Sequence, residues 1–240
     1  MAIDDKNKLV EIEQNFEFEH LRYANNYRKA ILKEFAPYLT GSVIEIGAGI
    51  GQFTQMLKNL NQITKILAIE PLEYYANKFA ENLPDIEIIR GTIKSVSQDT
   101  HWDGIVSVNV LEHIEDDRNE LSYYHNLLKK HCGNLCLFVP ARKELYSLLD
   151  QDFGHFRRYT REELTEKLNN AGFKIIKLHY FNFIGYFAWL IIFKMFRRRE
   201  FNPMAVKTFD KCILPVIHSF ERNILRPPIG QSLIAIARAE

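Results

Sequence analysis

The sequence has no excess of charge of either sign, because 31 lysines and arginines are balanced by 30 aspartates and glutamates among 240 residues. This balance gives the chain no overall attraction for polyanions, and we expect no nucleic-acid partner. Cysteines are also scarce: the three present, Cys132, Cys136 and Cys212, exclude a disulfide framework. Cys136 falls in a predicted buried strand, where cysteine acts as a small hydrophobic residue, so we expect no zinc site.

Long apolar runs are absent. Residues 183–193 are apolar almost throughout, but eleven residues are too few to cross a bilayer, which takes about twenty. Residues 1–8 are polar and no apolar core follows them, so we expect no signal peptide. With 47% hydrophobic and 25% charged residues, the chain can bury a full core. We expect a cytoplasmic protein, which meets a membrane, if at all, as a peripheral protein.

Only 11 glycines are present, yet Gly47, Gly49 and Gly51 occupy alternate positions within residues 43–54. The β-branched residues before them predict a buried parallel strand, and helical spacing begins at Gln52. Glycine permits positive φ angles and lets a ligand approach the backbone, while the following helix start offers free amide groups. The segment therefore predicts a loop that binds a nucleotide cofactor.

The spacing of the loop separates two cofactor classes. A dinucleotide fingerprint needs a glycine at position 52, and Gln52 occupies it, which disfavours a nicotinamide-dependent oxidoreductase. The string Glu45-x-Gly47-x-Gly49-x-Gly51 instead resembles motif I of the class I S-adenosylmethionine-dependent methyltransferases. In that family the acidic residue before the first glycine lies near the ammonium end of the cofactor, and the resemblance implies this position for Glu45.

Three further landmarks follow in order along the chain. Glu70 ends the second predicted strand, and a carboxylate there can accept hydrogen bonds from both ribose hydroxyls in either cofactor class. The stretch after the third predicted strand lies against the adenine in the family, and segment 102–113 resembles the family's fourth strand and its exit. The resemblance implies these cofactor-binding residues: Glu45, Gly47, Gly49, Gly51, Glu70, Pro71, Thr92, Ile93, Asn109 and Val110.

Strands and helices alternate along the chain, which predicts right-handed crossovers and a doubly wound, mostly parallel α/β sheet. The predicted strands are 43–46, 65–69, 86–89, 104–110, 135–140, 173–180 and 230–238. The predicted helices are 9–38, 52–60, 72–82, 117–130 and 161–170, with a capping box at Thr160 and Glu163. The resemblance implies a seven-stranded, Rossmann-like methyltransferase fold whose last strand is antiparallel.

We expect a single methyltransferase domain over 1–240, with an N-terminal helical cap over 1–40 and a helical insertion over 181–229. The insertion is expected to carry the substrate specificity. Its apolar run, 183–193, is followed by four basic residues, and this pattern has three interpretations. It is typical of a lid or wall of the acceptor pocket, of a homodimer face, and of a helix at a membrane surface through 183–199.

Methyl transfer depends mainly on alignment of the reacting groups, but a hydroxyl or ammonium acceptor must also lose a proton. Histidine is the natural base near neutral pH. His113 is the first candidate because it directly follows the fourth predicted strand, at the edge where such sheets bind ligands. His155 is the second, because segment 152–159 resembles a sequence beside the acceptor in several small-molecule methyltransferases. The structural alternative for His113 is that it caps or orders this loop with Glu112 or Glu115 as its partner. The alternative for the segment of His155 is a solvated loop whose arginines only bond surface carboxylates.

Four residues are candidate ligands of the acceptor or of the cofactor's methionine carboxylate: Tyr23, Tyr27, Arg157 and Tyr159. The two N-terminal tyrosines share one face of the leading helix, which closes over the cofactor in many relatives. Packing of these tyrosines against the sheet, and a solvated loop around the arginine, are the structural alternatives.

The residues after the fourth predicted strand exclude two acceptor classes. Superfamily enzymes that methylate exocyclic amines of bases carry two prolines and an aromatic residue there, whereas this chain has Asn109-Val110-Leu111-Glu112. Methylation of cytosine carbon needs a cysteine nucleophile at this place, and none is present. Asp116 and Asp117 are expected at an exposed helix start, where acids favour the helix dipole, so we expect no metal ion.

The sequence thus predicts S-adenosylmethionine-dependent methyl transfer to an oxygen or nitrogen of a small, partly apolar acceptor. A natural product, a glycan precursor and a lipid-linked compound all fit this description. A cofactor-binding scaffold without catalytic activity is the alternative outside the enzyme classes.

Overall fold

The computed structural model describes residues 24–223 and 227–240. Its core is a seven-stranded sheet with the order β3-β2-β1-β4-β5-β7-β6. The strands are β1 (Gly41–Ile46), β2 (Ile63–Glu70), β3 (Glu87–Arg90), β4 (Gly104–Val108), β5 (Asn134–Pro140), β6 (Phe173–Phe181) and β7 (Ser232–Ala239). The first five strands pair in parallel, and β7 runs antiparallel to both neighbours. The predicted fold class is confirmed.

Helices cover both faces of the sheet and fill the connection between β6 and β7. They are α1 (Asn25–Phe35), α2 (Thr54–Leu57), α3 (Glu73–Asn82), α4 (Asp117–Leu128), α5 (Leu148–Asp152), α6 (Arg161–Asn170), α7 (Phe183–Trp189), α8 (Pro203–Thr208) and α9 (Leu214–Asn223). The predicted capping box at Thr160 begins α6. Of the predicted N-terminal cap, residues 1–23 lie outside the described residues. Within the described ranges, no helix has both the length and the apolarity needed to span a membrane.

Three predicted elements differ in length from the observed ones. The predicted helix 52–60 shortens to α2, because Asn59 and Asn61 have low helix propensity. Strand β4 ends at Val108 because Asn109 adopts a φ of 52°, which is incompatible with a continuing strand. The apolar spacing of residues 204–222 predicts a second helix in the insertion, and a π-helical turn, Phe209–Ile213, divides it just before Pro215, whose nitrogen cannot donate a helical hydrogen bond.

Alternate residues of the central strands pack on opposite faces of the sheet, as the period of two requires. On one face, Ile44 and Ile46 of β1 belong to a core that includes Leu121 and Tyr124 of α4. On the other face, apolar residues of α1 and α2 complete a second core. Cys136 is buried in this second core, in agreement with its predicted role as a small hydrophobic residue. Both faces of the parallel strands are therefore covered, which leaves the ends of the strands as places for a ligand.

Buried ion pairs fix the start of α4. Asp117 is 2% exposed and accepts hydrogen bonds from the Tyr159 hydroxyl (2.8 Å) and from Lys167. Arg157 also pairs with this carboxylate at 2.7 Å. The expectation that both adjacent acids are exposed is therefore wrong for Asp117, because three donors from the chain after α5 cover it. Asp116 is exposed and caps α4 by accepting a hydrogen bond from the Asn119 amide.

Replacing these two neighbouring acids by alanine should have unequal effects. Asp117→Ala leaves the half-buried Arg157 and Lys167 and the buried Tyr159 hydroxyl without their carboxylate, so we expect the free energy of unfolding to fall by about 3 kcal/mol. Asp116→Ala is the matched control and removes one helix cap, which costs about 1 kcal/mol. Urea denaturation of both variants measures the difference. Equal losses would contradict the structural role assigned to Asp117.

Candidate active site

A cavity of about 1070 Å³ opens at the carboxyl ends of the parallel strands. Its floor includes Glu45 from β1, Glu70 from β2 and Val108 from β4, and its far wall is formed by the insertion. Open α/β sheets bind ligands at this edge, at the point from which successive strands are added in opposite directions across the sheet. Here that point falls between β1 and β4.

The glycine loop after β1 is held tightly against its neighbours. The amides of Gly47 and Ala48 both donate to the Ile69 carbonyl, at 2.8 and 3.0 Å. Gly47 has a φ of 67°, and a Cβ there would lie 2.4 Å from the Val110 side chain. No other residue therefore fits at this position without displacing Val110. The loop leaves its backbone exposed to the cavity, as a bound nucleotide requires.

Glu45 is a buried acid at the cavity wall. Its carboxyl group accepts a hydrogen bond of 2.6 Å from the Thr54 hydroxyl. Burial, with a smaller contribution from the neighbouring Glu70, raises the pKa of Glu45 to about 8. A cationic group placed beside it would stabilise the carboxylate form and lower that pKa. The position therefore suits the ammonium group of a ligand.

Glu70 stands at the end of β2 and faces the same cavity. One of its oxygens accepts a hydrogen bond from the Gly49 amide (2.9 Å), and the other accepts one from the Leu72 amide (3.0 Å). Burial raises the pKa of this carboxyl group, while the two amides act in the opposite direction. A carboxylate has about four acceptor positions, so both oxygens can still accept hydrogen bonds from ligand hydroxyls.

Most of the predicted cofactor residues line the cavity: Glu45, Gly47, Glu70, Pro71, Thr92, Ile93, Asn109 and Val110. Gly49 and Gly51 lie behind this surface. Gly51 instead allows the loop to pack on α3, since a Cβ there would lie 2.7 Å from Leu83. The donor and acceptor groups present therefore fit a nucleoside with an ammonium group, and the glycines without cavity contact shape the loop.

The two candidate histidines lie side by side in the cavity wall. Their rings meet edge to face with centroids 4.6 Å apart. Burial, together with the nearby His155, lowers the pKa of His113 to about 3. His113 is therefore a neutral imidazole and a weak proton acceptor at physiological pH. Its position agrees with the prediction, but its environment opposes the role of a base.

His155 has a different environment. Its Nδ1 lies 3.1 Å from an oxygen of Asp150, and its Nε2 lies 4.0 Å from Glu112. The carboxyl group of Asp150 beside Nδ1 fixes the orientation of the ring and directs Nε2 towards Glu112. Burial opposes ionisation of Asp150, but the hydrogen bond from His155 and the charge of Arg158 outweigh it and lower the pKa of Asp150.

Arg158 is a residue of the site that the sequence interpretation omitted. Its Nε donates to Asp150 at 2.7 Å, and its guanidinium lies over the Trp189 ring at 4.3 Å. It is 2% exposed and lines the cavity. The Ser147-x-x-Asp150 capping box was a detectable signal for the start of α5, although not for the ion pair.

Arg157 and Tyr159 do not line the cavity, contrary to the prediction that they contact substrate. The chain around them is extended and pairs with Ala141, so successive side chains point to opposite sides. Arg158 consequently faces the cavity, while its two neighbours face Asp117 at the start of α4. Through these contacts with Asp117, Arg157 and Tyr159 position the segment that carries His155.

Of the two candidate tyrosines, Tyr23 lies outside the described residues. Tyr27 lines the cavity, where its ring packs edge to face on Phe138 and Phe181. Burial raises the pKa of Tyr27 to about 12, so the hydroxyl stays protonated.

Asp210 of the insertion accepts hydrogen bonds from the Asn26 and Tyr27 amides at 3.0 and 2.8 Å. This contact, which no local pattern reveals, fastens the insertion to α1.

Among the described residues, one group of side chains could hold a metal ion. The ligand atoms of Glu112, His113 and His155 lie within 4.8 Å of one another. Two imidazoles and a carboxylate are ligands suited to zinc or iron. The expectation that the protein uses no metal ion therefore stays a prediction.

Comparison with known proteins agrees with this geometry. A family model described as a methyltransferase domain matches residues 18–178. A search of curated proteins gave no match.

Solved structures with the same fold include an S-adenosylmethionine-dependent methyltransferase from Archaeoglobus fulgidus. That protein is 21% identical with a TM-score of 0.58, and the alignment covers 89% of this chain and 94% of that one. A Bacillus halodurans protein described as a putative methyltransferase is 17% identical, with a TM-score of 0.60 over 87% of this chain and 96% of that one. A chain in the complex of the Haloferax volcanii Trm112 methyltransferase activator with a putative methyltransferase is 13% identical, with a TM-score of 0.64 over 95% and 94%.

The match to the family model spans more than half of the chain, and the fold is shared with the solved structures above. The carboxyl groups at the ends of β1 and β2 face one cavity beside a glycine loop, as the cofactor requires. The chain belongs to the class I S-adenosylmethionine-dependent methyltransferases, with S-adenosylmethionine as its cofactor.

Proposed function

We propose that the protein transfers a methyl group to an oxygen or nitrogen of a small, partly apolar acceptor. The observation that carries this proposal is one continuous cavity, which joins the glycine loop to His155 and to the apolar wall of the insertion. A cofactor and an acceptor can therefore meet within one cavity. Proximity and alignment of this kind supply most of the rate enhancement in methyl transfer.

On the cofactor side, three groups of residues would hold S-adenosylmethionine. Glu45 would pair with its ammonium group, Glu70 would accept hydrogen bonds from the ribose hydroxyls, and the backbone of Thr92 and Ile93 would lie along the adenine. The bound cofactor supplies a methyl group on a sulfonium, which is already activated for transfer. The protein then has to place the acceptor in line and to remove its proton.

On the acceptor side, the cavity wall is mainly aromatic and aliphatic. Trp189, Ile192 and Phe193 of the insertion contribute, and so does Phe201. Arg158 and Asn182 add polar groups at the same wall. Apolar walls with a few placed polar groups are typical of pockets for small organic ligands. This composition favours an acceptor with an apolar body and one polar, reactive end.

His155 is the proposed general base. It lines the cavity, and Asp150 holds its Nδ1, so Nε2 is the nitrogen that would receive the acceptor's proton. The carboxylates of Asp150 and Glu112 stabilise the imidazolium that forms. A scaffold without catalytic activity has no need of such a base at its ligand cavity, and product formation in an acceptor screen separates the two possibilities.

Cofactor affinity should depend on pH through Glu45. In the free protein this group is largely protonated below its pKa of about 8, whereas the bound ammonium group favours the carboxylate. Binding therefore releases a proton, and affinity for S-adenosylhomocysteine should rise between about pH 6 and 8, by up to about tenfold per unit.

Calorimetry at several pH values measures this dependence, and the Glu45→Gln variant is its control. Glutamine cannot titrate, so we expect weaker binding at pH 8 and little change with pH. If the affinity of the variant changes with pH as steeply as that of the unaltered protein, Glu45 is not the group that loses a proton on binding. Titration with NAD in the same buffers should give no binding, because Gln52 occupies the place of the third dinucleotide glycine.

Substitution of the two histidines should separate their roles. We expect His155→Ala to lower kcat by about 10²–10⁴, the range for loss of a general base. Asp150→Asn should lower kcat less and should shift its pH profile, because the imidazole of His155 loses its charged partner. His113→Ala should change kcat by less than about tenfold, since a pKa of about 3 makes this imidazole a poor base.

These rates are measured with an acceptor found in the screen, while calorimetry with S-adenosylhomocysteine checks that each variant still binds the cofactor. A kcat that falls less than tenfold in His155→Ala would rule out His155 as the base. A larger loss in His113→Ala than in His155→Ala would reverse the assignment.

A further inference from the structure

Exposed apolar side chains are concentrated on the insertion. Twelve large apolar residues are exposed within residues 24–223 and 227–240. Nine of them belong to the insertion: Ile184, Phe187, Ile191, Ile192, Met195, Phe196, Met204, Ile213 and Val216. Scattered single apolar residues are ordinary on a protein surface, but a contiguous apolar patch marks a place of contact.

The first helix of the insertion has two apolar faces. This helix is α7 with its π-helical continuation, Leu190–Met195. Trp189 and Phe193 form its inner face and are buried in a cluster with residues around α5. Its outer face carries exposed apolar residues three or four positions apart: Ile184, Phe187, Ile191 and Met195. We call these four residues the outer face. The inner face already completes the core, so the outer face is available for another contact.

Basic residues follow the outer face directly. All residues from 194 to 200 are exposed, and Lys194, Arg197, Arg198 and Arg199 are among them. Arg199 pairs with Asp152. Arg197 and Arg198 have no ion pair within the part of the chain that the structure describes. Apolar and aromatic side chains beside unpaired arginines match the headgroup region of an anionic bilayer.

The same charges disfavour self-association through this face. A twofold dimer would pair this patch with a second copy of itself, and residues 183–199 contain four basic residues and no acid to pair with them. Like charges in an interface oppose association, whereas anionic lipid headgroups attract the same arginines. Charge complementarity therefore selects a lipid surface as the occupant.

The mouth of the cavity lies beside the outer face and its basic residues. Ile192 and Phe196 line the cavity and are also exposed, by 39% and 71%. Arg198 lines the cavity as well. A compound whose apolar part rests in the bilayer could thus reach the reaction site along an apolar rim, with its polar end leading.

We propose that the outer face docks the protein on an anionic lipid surface and that the acceptor is an amphipathic compound taken from that surface. The assignment of the acceptor rests on the proposed methyl transfer, whereas the docking rests on the outer face and the arginines that follow it.

The docking is tested by vesicle sedimentation. At low salt the protein should pellet with vesicles of phosphatidylcholine containing about 30% phosphatidylglycerol, but not with phosphatidylcholine alone. Salt at about 0.5 M should weaken the binding by screening.

Substitutions on the outer face provide the matched comparison. Phe187→Asp combined with Met195→Asp places two acids on this face, and neither residue lines the cavity. We expect vesicle affinity to fall at least about tenfold. Tyr74→Asp is the control, because Tyr74 is also an exposed aromatic residue, on α3, and this variant should bind vesicles like the unaltered protein. Calorimetry with S-adenosylhomocysteine should give unchanged affinity in both variants.

Fluorescence quenching locates the surface that meets the bilayer. The chain has two tryptophans, Trp102 and Trp189, and of these Trp189 lies on the helix that carries the outer face. In the Trp102→Phe variant, lipids brominated on the acyl chain should quench the remaining Trp189 emission when anionic vesicles are added. In the Trp189→Phe variant, the emission of Trp102 should be unaffected.

Several results would overturn the docking proposal. They are failure to pellet with anionic vesicles, equal binding to neutral vesicles, and quenching of Trp102 in place of Trp189. A dimer in sedimentation velocity without lipid, made monomeric by the outer-face substitutions, would assign the face to self-association instead. If S-adenosylhomocysteine binds normally while docking fails, only the docking proposal is lost. If S-adenosylhomocysteine does not bind, the proposed methyl transfer fails, whatever the vesicles show.

Discussion

The hydrogen bonds that fasten the glycine loop to the end of β2 are the constraint on which the whole site depends. The Ile69 carbonyl accepts from two successive loop amides, and the Glu70 carboxyl group accepts from Gly49. Each such bond contributes only about 1 kcal/mol net, yet together with the close contact between Gly47 and Val110 they leave the loop one conformation. That conformation exposes backbone to the cavity and sets Glu45 and Glu70 on one wall.

Environment, more than residue type, distinguishes the two histidines of the cavity. Both are imidazoles at the same sheet edge, and their rings are in contact. Burial, together with the neighbouring His155, lowers the pKa of His113 to about 3, whereas His155 has carboxyl groups near both ring nitrogens. We therefore propose His155, which comes from a distant segment, as the proton acceptor in place of His113 at the strand end. Arg158 and Trp189 complete this arrangement by supporting Asp150 and by joining it to the insertion.

The sequence predicts the doubly wound sheet with its antiparallel last strand, and most of the residues it proposes for the cofactor line the cavity, because the loop and its flanking strand are local patterns with a physical cause. It could not separate Arg157 from Arg158, because the side of an extended chain that faces the cavity depends on its pairing with Ala141. It also placed Asp117 on the surface, since the three donors that bury it are distant in sequence. The contact of Asp210 with α1 joins residues more than 180 positions apart and leaves no local signal.

A crystal structure with bound S-adenosylhomocysteine tests the central claim most directly. The account predicts ribose hydroxyls within about 3.2 Å of the Glu70 carboxylate and the ammonium group beside Glu45. It also predicts that the sulfur faces the part of the cavity lined by His155 and Trp189. A cofactor bound elsewhere, or one whose sulfur faces away from His155, would contradict the assignment of this cavity as the site of methyl transfer.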